Sequence, residues 1–192
     1  MFDLKKCGKK DCNNSVFLDY DYCYLHLTEK EQAFSRLKEL LEKENKFISL
    51  NLSCGEFSDL DFSEKSFYGC NFSSSKFTNC KFSNSLLRVT FFDFSQFISC
   101  NFSHTDMQSC VFAGSVIDSC NFTESDILHG NFNGIRCRNT KFDDSDLYFS
   151  HFINATLDNV GFIDCNIKKV MYLKSEMSDV SFKYSNYEDA QF

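Results

Sequence analysis

From Leu52 to Phe192 a large apolar residue recurs at every fifth position: Leu52, Phe57, Phe62, Phe67, Phe72, Phe77, Phe82 and onward. The frame runs through 29 positions without an insertion or deletion, and 28 of them are large and apolar. Of the 20 Phe between residues 49 and 192, 17 fall in this frame. Two residues before each stands a second regular position that is mostly small, as at Cys70, Ser75, Cys80, Ser85, Thr90, Ser95, Cys100 and Thr105. A period of five is neither the 3.6 of a helix nor the 2.0 of a strand. The chain must therefore turn once per unit and send one large and one small side chain inward each time. Ser, Thr, Asn and Asp fill the remaining positions, where their side chains support turns by bonding nearby backbone. At Ile135–Cys137 the large and small positions are exchanged. The exchange roughly conserves core volume, so the repeat is expected to continue through it.

The units CNFSS (70–74), CNFSH (100–104), CNFTE (120–124), SDLYF (145–149), ATLDN (155–159) and CNIKK (165–169) resemble the pentapeptide-repeat family. The resemblance spans roughly 49–192. It implies an all-β solenoid, a right-handed quadrilateral β-helix in which four units make one square coil. About seven coils follow, and at a β spacing of about 4.8 Å the rod would be roughly 34 Å long. In such a coil Cys80, Cys100 and Cys120 share one face, and Phe72, Phe92, Phe112, Phe132 and Phe152 share another. Stacked thiols invite a metal or redox reading. The simpler reading is that Cys is a small hydrophobe beneath a Phe ladder.

Residues 28–48 follow a different pattern. Phe34, Leu37, Leu40, Leu41 and Ile48 lie on one stripe at helical spacing. Thr28-Glu29-Lys30-Glu31 has the form of a capping box, which predicts a helix over 29–46. A β-helix exposes the unpaired edge of its first coil, and this helix is expected to cover it near Leu50 to Leu60.

Composition sharpens this picture. The chain has no Pro and only 7 Gly, so its many turns need another device. Its 11 Cys are an odd number, and the N-terminal stretch lacks the apolar core of a signal peptide. A soluble, cytoplasmic protein with reduced thiols is expected, without a membrane span. Within residues 1–27, Cys7, Cys12, Cys23 and His26 form the pattern C-x4-C-x10-C-x2-H. These are the ligand types of a tetrahedral structural zinc site and resemble a small zinc-knuckle motif. Free thiols or a disulfide are the alternatives. Lys5, Lys6, Lys9 and Lys10 decorate this module and read as a solvated face.

Residues 1–48 hold 9 Lys+Arg against 9 Asp+Glu, and residues 49–192 hold 11 against 18. An acidic body argues against direct contact with nucleic-acid phosphates, which needs clustered cations. No P-loop, Rossmann glycine pattern or nucleophile elbow is present, and His104, His129 and His151 fall at unrelated phases of the repeat. A non-catalytic interaction or scaffold protein is the leading expectation. The outward apolar residues Phe91, Val111, Tyr148, Phe149, Ile153, Met171 and Leu173 are the candidates for contact with an unknown protein partner. The last coil ends in phase at Phe192, which suggests a homodimer through the C-terminal coils. The family resemblance adds a rival: some members mimic DNA and bind type II topoisomerases such as gyrase.

Overall fold

The computed structural model describes residues 5–192, and the first four residues of the N-terminal module lie outside it. The repeat forms a right-handed parallel β-solenoid of about 7 turns. One side carries a five-stranded parallel sheet of Lys46–Ile48, Ser66–Tyr68, Leu86–Arg88, Asp106–Gln108 and Asp126–Leu128. Another carries a seven-stranded sheet of Glu56–Ser58, Lys76–Thr78, Gln96–Ile98, Val116–Asp118, Arg136–Lys141, Thr156–Gly161 and Glu176–Ser178. Pairing is strictly residue n to n+20, as in Phe57 with Phe77 and Phe77 with Phe97. The remaining two sides are joined by bridges in the same register, among them Asn71 with Phe91 and Lys81 with Asn101.

The turning device is a left-handed residue two places after each central apolar one. Cys54, Asp59, Glu64 and Gly69 turn the first coil at φ 61, 56, 59 and 58°. Asn, Asp and Ser occupy many of the later corners, the residue types that tolerate this conformation. The preceding Asn or Asp supports the corner: Asn71 Oδ1 accepts from the Ser73 amide at 3.0 Å, and Asn121 Oδ1 from that of Thr123 at 3.1 Å. This is why the chain needs neither proline nor many glycines.

The central side chains fill the rod as four ladders. Phe62, Phe82, Phe102 and Phe122 stack with ring centroids 4.6 Å apart at each step, so the ring spacing follows the coil spacing. Rings of neighbouring ladders meet edge to face, as Phe102 does with Phe112 at 6.0 Å and 82°. At the exchange point both Ile135 and Cys137 are buried and the register holds. Tyr172 stands in a Phe ladder, stacked between Phe152 and Phe192, and its buried hydroxyl has no hydrogen-bond partner. Removing an unsatisfied buried polar atom of nearly the same shape is favourable. Tyr172→Phe is therefore expected to raise stability by about 1 kcal/mol in equilibrium urea unfolding.

The small inward position does more than fill space. Ser75 Oγ donates to the Leu52 carbonyl at 3.0 Å and accepts from the Gly55 amide at 3.1 Å. Cys80, Cys100 and Cys110 donate to the carbonyls of Phe57, Phe77 and Leu87 at 3.6, 3.6 and 3.5 Å. The thiols thus stand in for the serine hydroxyl as donors between coils, a role that smallness alone does not reveal.

The N-terminal end differs from the sequence expectation in two ways. The helix spans Lys30–Lys43, and Glu29 at its N-cap makes no side-chain cap bond, so the capping box does not form. Its buried face is Ala33, Leu37 and Leu41, with Phe34 and Leu40 only partly covered. Ile48 is not on that stripe: it is 67% exposed, because Lys46–Ile48 is already a strand and alternation buries Phe47 instead. Phe47 stacks on Phe67 at 5.1 Å, so the frame of five begins one unit before Leu52. At the far end the last strand is followed by a 3-10 turn, Tyr187–Asp189, that sets Glu188 and Asp189 at the tip of the rod.

Candidate metal centre and outer faces

Cys7 and Cys12 sit in a hairpin closed by an antiparallel bridge between Lys6 and Ser15 and by the bond from the Cys7 amide to the Asn14 carbonyl at 2.9 Å. Cys23 precedes a 3-10 turn, Tyr24–His26, in which the His26 amide bonds the Cys23 carbonyl at 2.9 Å. These two turns bring the four side chains together. Their ligand atoms all lie within 4.8 Å of one another. His26 Nδ1 is 3.4 Å from the sulfurs of both Cys7 and Cys23, and the sulfurs of Cys12 and Cys23 are 3.9 Å apart. Burial opposes ionisation of Cys7, yet hydrogen bonds from the Cys23 and Lys9 amides and from His26 bring its thiol down to about 6. The four groups are the only set of three or more clustered His, Cys, Asp or Glu ligands with this capacity among the described residues.

The module is docked onto the rod, not tethered beside it. Phe17, fully buried, lies 6.4 Å from Phe57 at an interplanar angle of 19° and so extends the ladder Phe57–Phe77–Phe97 by one ring. The Leu18 amide bonds the Asn51 carbonyl at 3.1 Å, and Asn51 Nδ2 donates to the Val16 carbonyl at 2.6 Å. The helix lies beside residues 60–65. Sequence reasoning assigned the end cap to the helix alone. The missed half is Phe17 and Asn51, and the available signal was a Phe standing outside both the ligand pattern and the helix.

The rod's own thiols are chemically quiet. Burial pushes Cys110, Cys137 and Cys165 up to about 12, and Cys70 up to about 11. The Cys120 thiol hydrogen-bonded to Cys100, aided by burial, raises Cys100 to about 12. Iodoacetamide at neutral pH should label Cys7, Cys12 and Cys23 once a chelator has opened the N-terminal module, and leave the seven buried rod cysteines unlabelled until denaturant is added. Peptide mass spectrometry reads the pattern directly.

Most of the outward apolar candidates gather on one side. Phe91, Val111, Ile153, Met171 and Leu173 all belong to the face made by residues 51, 53 and 54 and their equivalents every twenty residues. Phe149 stands at the corner that opens this face, and Tyr148 is next to it on the neighbouring side. Tyr148 and Phe149 pack with His129 at 6.1 and 5.2 Å, and Lys169 Nζ lies 5.5 Å from the Tyr148 ring. Over the whole length of this face, Asp93 and Lys174 are its charged residues, one of each sign, so it carries no net charge and is the uncharged face of the rod. The opposite face carries Asp61, Glu64, Glu124, Asp143, Asp144 and Asp164. Phe94, 70% exposed at the far corner of the uncharged face, was missed by sequence reasoning. The signal was there: the three Phe out of frame in the repeat are Phe91, Phe94 and Phe149, and all three line or border this face.

Family models match the chain as a pentapeptide repeat region over residues 115–192 and as pentapeptide repeats (8 copies) over 51–88 and 95–127. The chain belongs to the pentapeptide-repeat family. Among solved structures it is similar to a trypsin-treated variant of QnrB1, a plasmid-mediated fluoroquinolone resistance protein. That match has 18% identity and a TM-score of 0.51 and covers 77% of this chain and 79% of that one. It is also similar to HetL, a pentapeptide repeat protein involved in heterocyst differentiation regulation from the cyanobacterium Nostoc sp. strain PCC 7120. Here identity is 10% and the TM-score 0.35, over 81% of this chain and 92% of that one. No curated protein matches the chain by sequence. Neither family model reaches residues 1–50, so the metal-capable module is an addition to the repeat. Among the described residues no helix is long and apolar enough to cross a membrane.

Proposed function

We propose that this pentapeptide-repeat protein is a non-catalytic interaction scaffold whose first coil is sealed by a structural zinc module. One observation carries the scaffold reading: the buried groups of the rod that have chemical potential are spent holding coils together, while its outward side chains are sorted by face. Thiols and hydroxyls at the small positions bond backbone of the neighbouring coil. Such a rod offers rigid rows of side chains and no activated nucleophile. Replacing Phe94 and, separately, Asn84 of the acidic face with a photo-crosslinking amino acid in cells tests this. Discrete protein adducts from position 94 and not from 84 are expected, and adducts from neither would overturn the reading.

The ligand geometry supports zinc. Tetrahedral coordination with Zn–S of about 2.3 Å and Zn–N of about 2.0–2.1 Å requires sulfurs about 3.8 Å apart and sulfur–nitrogen separations of about 3.6 Å. The separations here are 3.9 Å between Cys12 and Cys23, and 3.4 Å from His26 Nδ1 to Cys7 and to Cys23. Four protein ligands fill the coordination sphere, which suits a structural ion and leaves no position for substrate. Bound there, zinc would supply a cross-link between the hairpin and the 3-10 turn.

The acidic face supports a second reading, in which the rod stands in for DNA before a type II topoisomerase. Lys81, Lys141 and Lys183 on that same face dilute its charge. A gyrase supercoiling assay separates the readings, since the scaffold reading expects no effect at micromolar protein.

A further inference from the structure

The uncharged face carries a second, independent peculiarity. Its two bordering corners turn through left-handed residues, where bulky apolar side chains are costly and Asn, Asp, Ser or Gly are the ordinary choice. Yet Val89 and Phe94 stand there at φ 51 and 56° within a single coil, and Phe149 at φ 59° three coils on. All three are exposed, by 49, 70 and 39%. Strained and solvent-facing, they destabilise the isolated chain, so their use points to a contact that covers them. Beside them the same corner carries glycine in two successive coils, which leaves a gap, or notch, in its row of side chains. Gly114 lies directly under the Phe94 ring, and a Cβ there would come within 2.7 Å of it. Gly134, one coil further along the same corner, has nothing within 4 Å of where a Cβ would be.

We propose that this face is covered by the same face of a second copy of the chain, the two rods lying antiparallel and side by side. The inference rests on the interaction-scaffold reading and names its first partner. A two-fold axis lying in the interface, across the rods and through the coil of Val111 and Ala113, keeps each column of residues opposite itself and reverses coil order. Phe94, one coil before the axis, then faces Gly134 of the partner subunit, one coil after it. Knob meets notch twice. Val111 meets the partner's Val111, and Asp93 meets the partner's Asn133, so no like charges are brought together.

Charge makes this the preferred approach of two copies. The chain has a net charge of −7, and the other sides of the rod carry it. End-on pairing through the last coil, by contrast, brings together Glu188 and Asp189 of both chains at a tip blunted by a 3-10 turn. A face about 34 Å long and about 15 Å wide buries about 1,000 Å² in total when paired, at the lower bound for a specific interface. A reversible dimer with Kd in the micromolar range follows.

Sedimentation equilibrium on the zinc-loaded full-length chain, from about 1 μM to about 500 μM, tests the proposal. The wild type should pass from the mass of one chain to that of two. Phe94→Asp should remain monomeric, and Gly134→Asn, which fills the notch with a residue that tolerates the left-handed corner, should weaken association at least tenfold. Asn84→Asp on the opposite face should leave it unchanged. Because Asp suits a left-handed corner better than Phe, Phe94→Asp should unfold at equal or higher denaturant, which separates lost pairing from lost folding. Ala113→Cys, near the axis, should give an intermolecular disulfide on oxidation. A chain that stays monomeric throughout, or a dimer that persists in Phe94→Asp and cross-links through Gln191→Cys instead, overturns the inference. Adducts from position 94 to a different protein in a monomeric chain would remove the second copy while keeping the scaffold reading.

Discussion

Phe102→Ala is expected to lower the stability of the rod by about 3–5 kcal/mol, read from equilibrium urea unfolding. The ring lies between Phe82 and Phe122 at 4.6 Å on either side, and meets Phe92, Phe97 and Phe112 edge to face at 6.3, 5.5 and 6.0 Å. Truncation removes all of these contacts from a column that cannot collapse, because each coil is held in register by backbone bonds to the coils on both sides. The Phe102 amide itself bonds the Asn121 carbonyl at 2.6 Å. In a solenoid each unit touches only its neighbours, so the damage stays local. The single unfolding transition should therefore split, with the segments on either side of coil 91–110 melting apart. Phe102→Leu, which keeps most of the volume, should cost less than half as much and keep one transition.

Loss of the proposed zinc is the other large expected effect. Cys23→Ser, or a strong chelator added to the wild type, should unfold the N-terminal module and expose the first coil. Zinc binding in small modules is worth about 10–16 kcal/mol, and that free energy is the folding free energy of the module. The module has too few apolar residues to hold itself. Among its described residues, Cys7, Val16, Phe17, Cys23 and Leu27 are the buried hydrophobic ones. Once it opens, Phe57 loses the ring above it and Asn51 loses its contact with Val16. Amide exchange should rise through residues 5–28, spread into 46–58, and fade by the third coil. Lys5→Ala offers the contrast: it removes only the exposed ion pair to Asp21 and should change stability by less than about 1 kcal/mol.

What the sequence revealed depended on whether a feature repeats. The solenoid was readable because each unit restates it, and the swap at Ile135 and Cys137 shows how little the frame depends on any one residue. The ligand set Cys7, Cys12, Cys23 and His26 was readable from ligand chemistry at short spacing, and the two turns that bring them together are local. Features that occur once were harder. The capping box at Thr28 lost to tertiary packing, because burial of Ala33, Leu37 and Leu41 sets where the helix begins more than a cap worth about 1 kcal/mol does. Ile48 looked helical because it fits the helical spacing, yet the strand register of Phe47 with Phe67 decides its side. The outward columns of Phe91 with Val111 and of Ile153 with Leu173 were readable from the twenty-residue coil, but their union into one side bordered by Phe94 was not. Only when coils are stacked do Phe91, Val111, Ile153 and Leu173 become one surface.

In the proposed reading, a zinc-held module closes the open end of an interaction rod. Native mass spectrometry of the purified chain, with and without chelator, tests it most directly. One zinc per chain is expected in the untreated wild type and none in Cys23→Ser, and loss of zinc should shift only the N-terminal region to higher charge states in fragment analysis. A wild-type chain that carries no metal, yet keeps residues 5–28 protected from exchange, would contradict it.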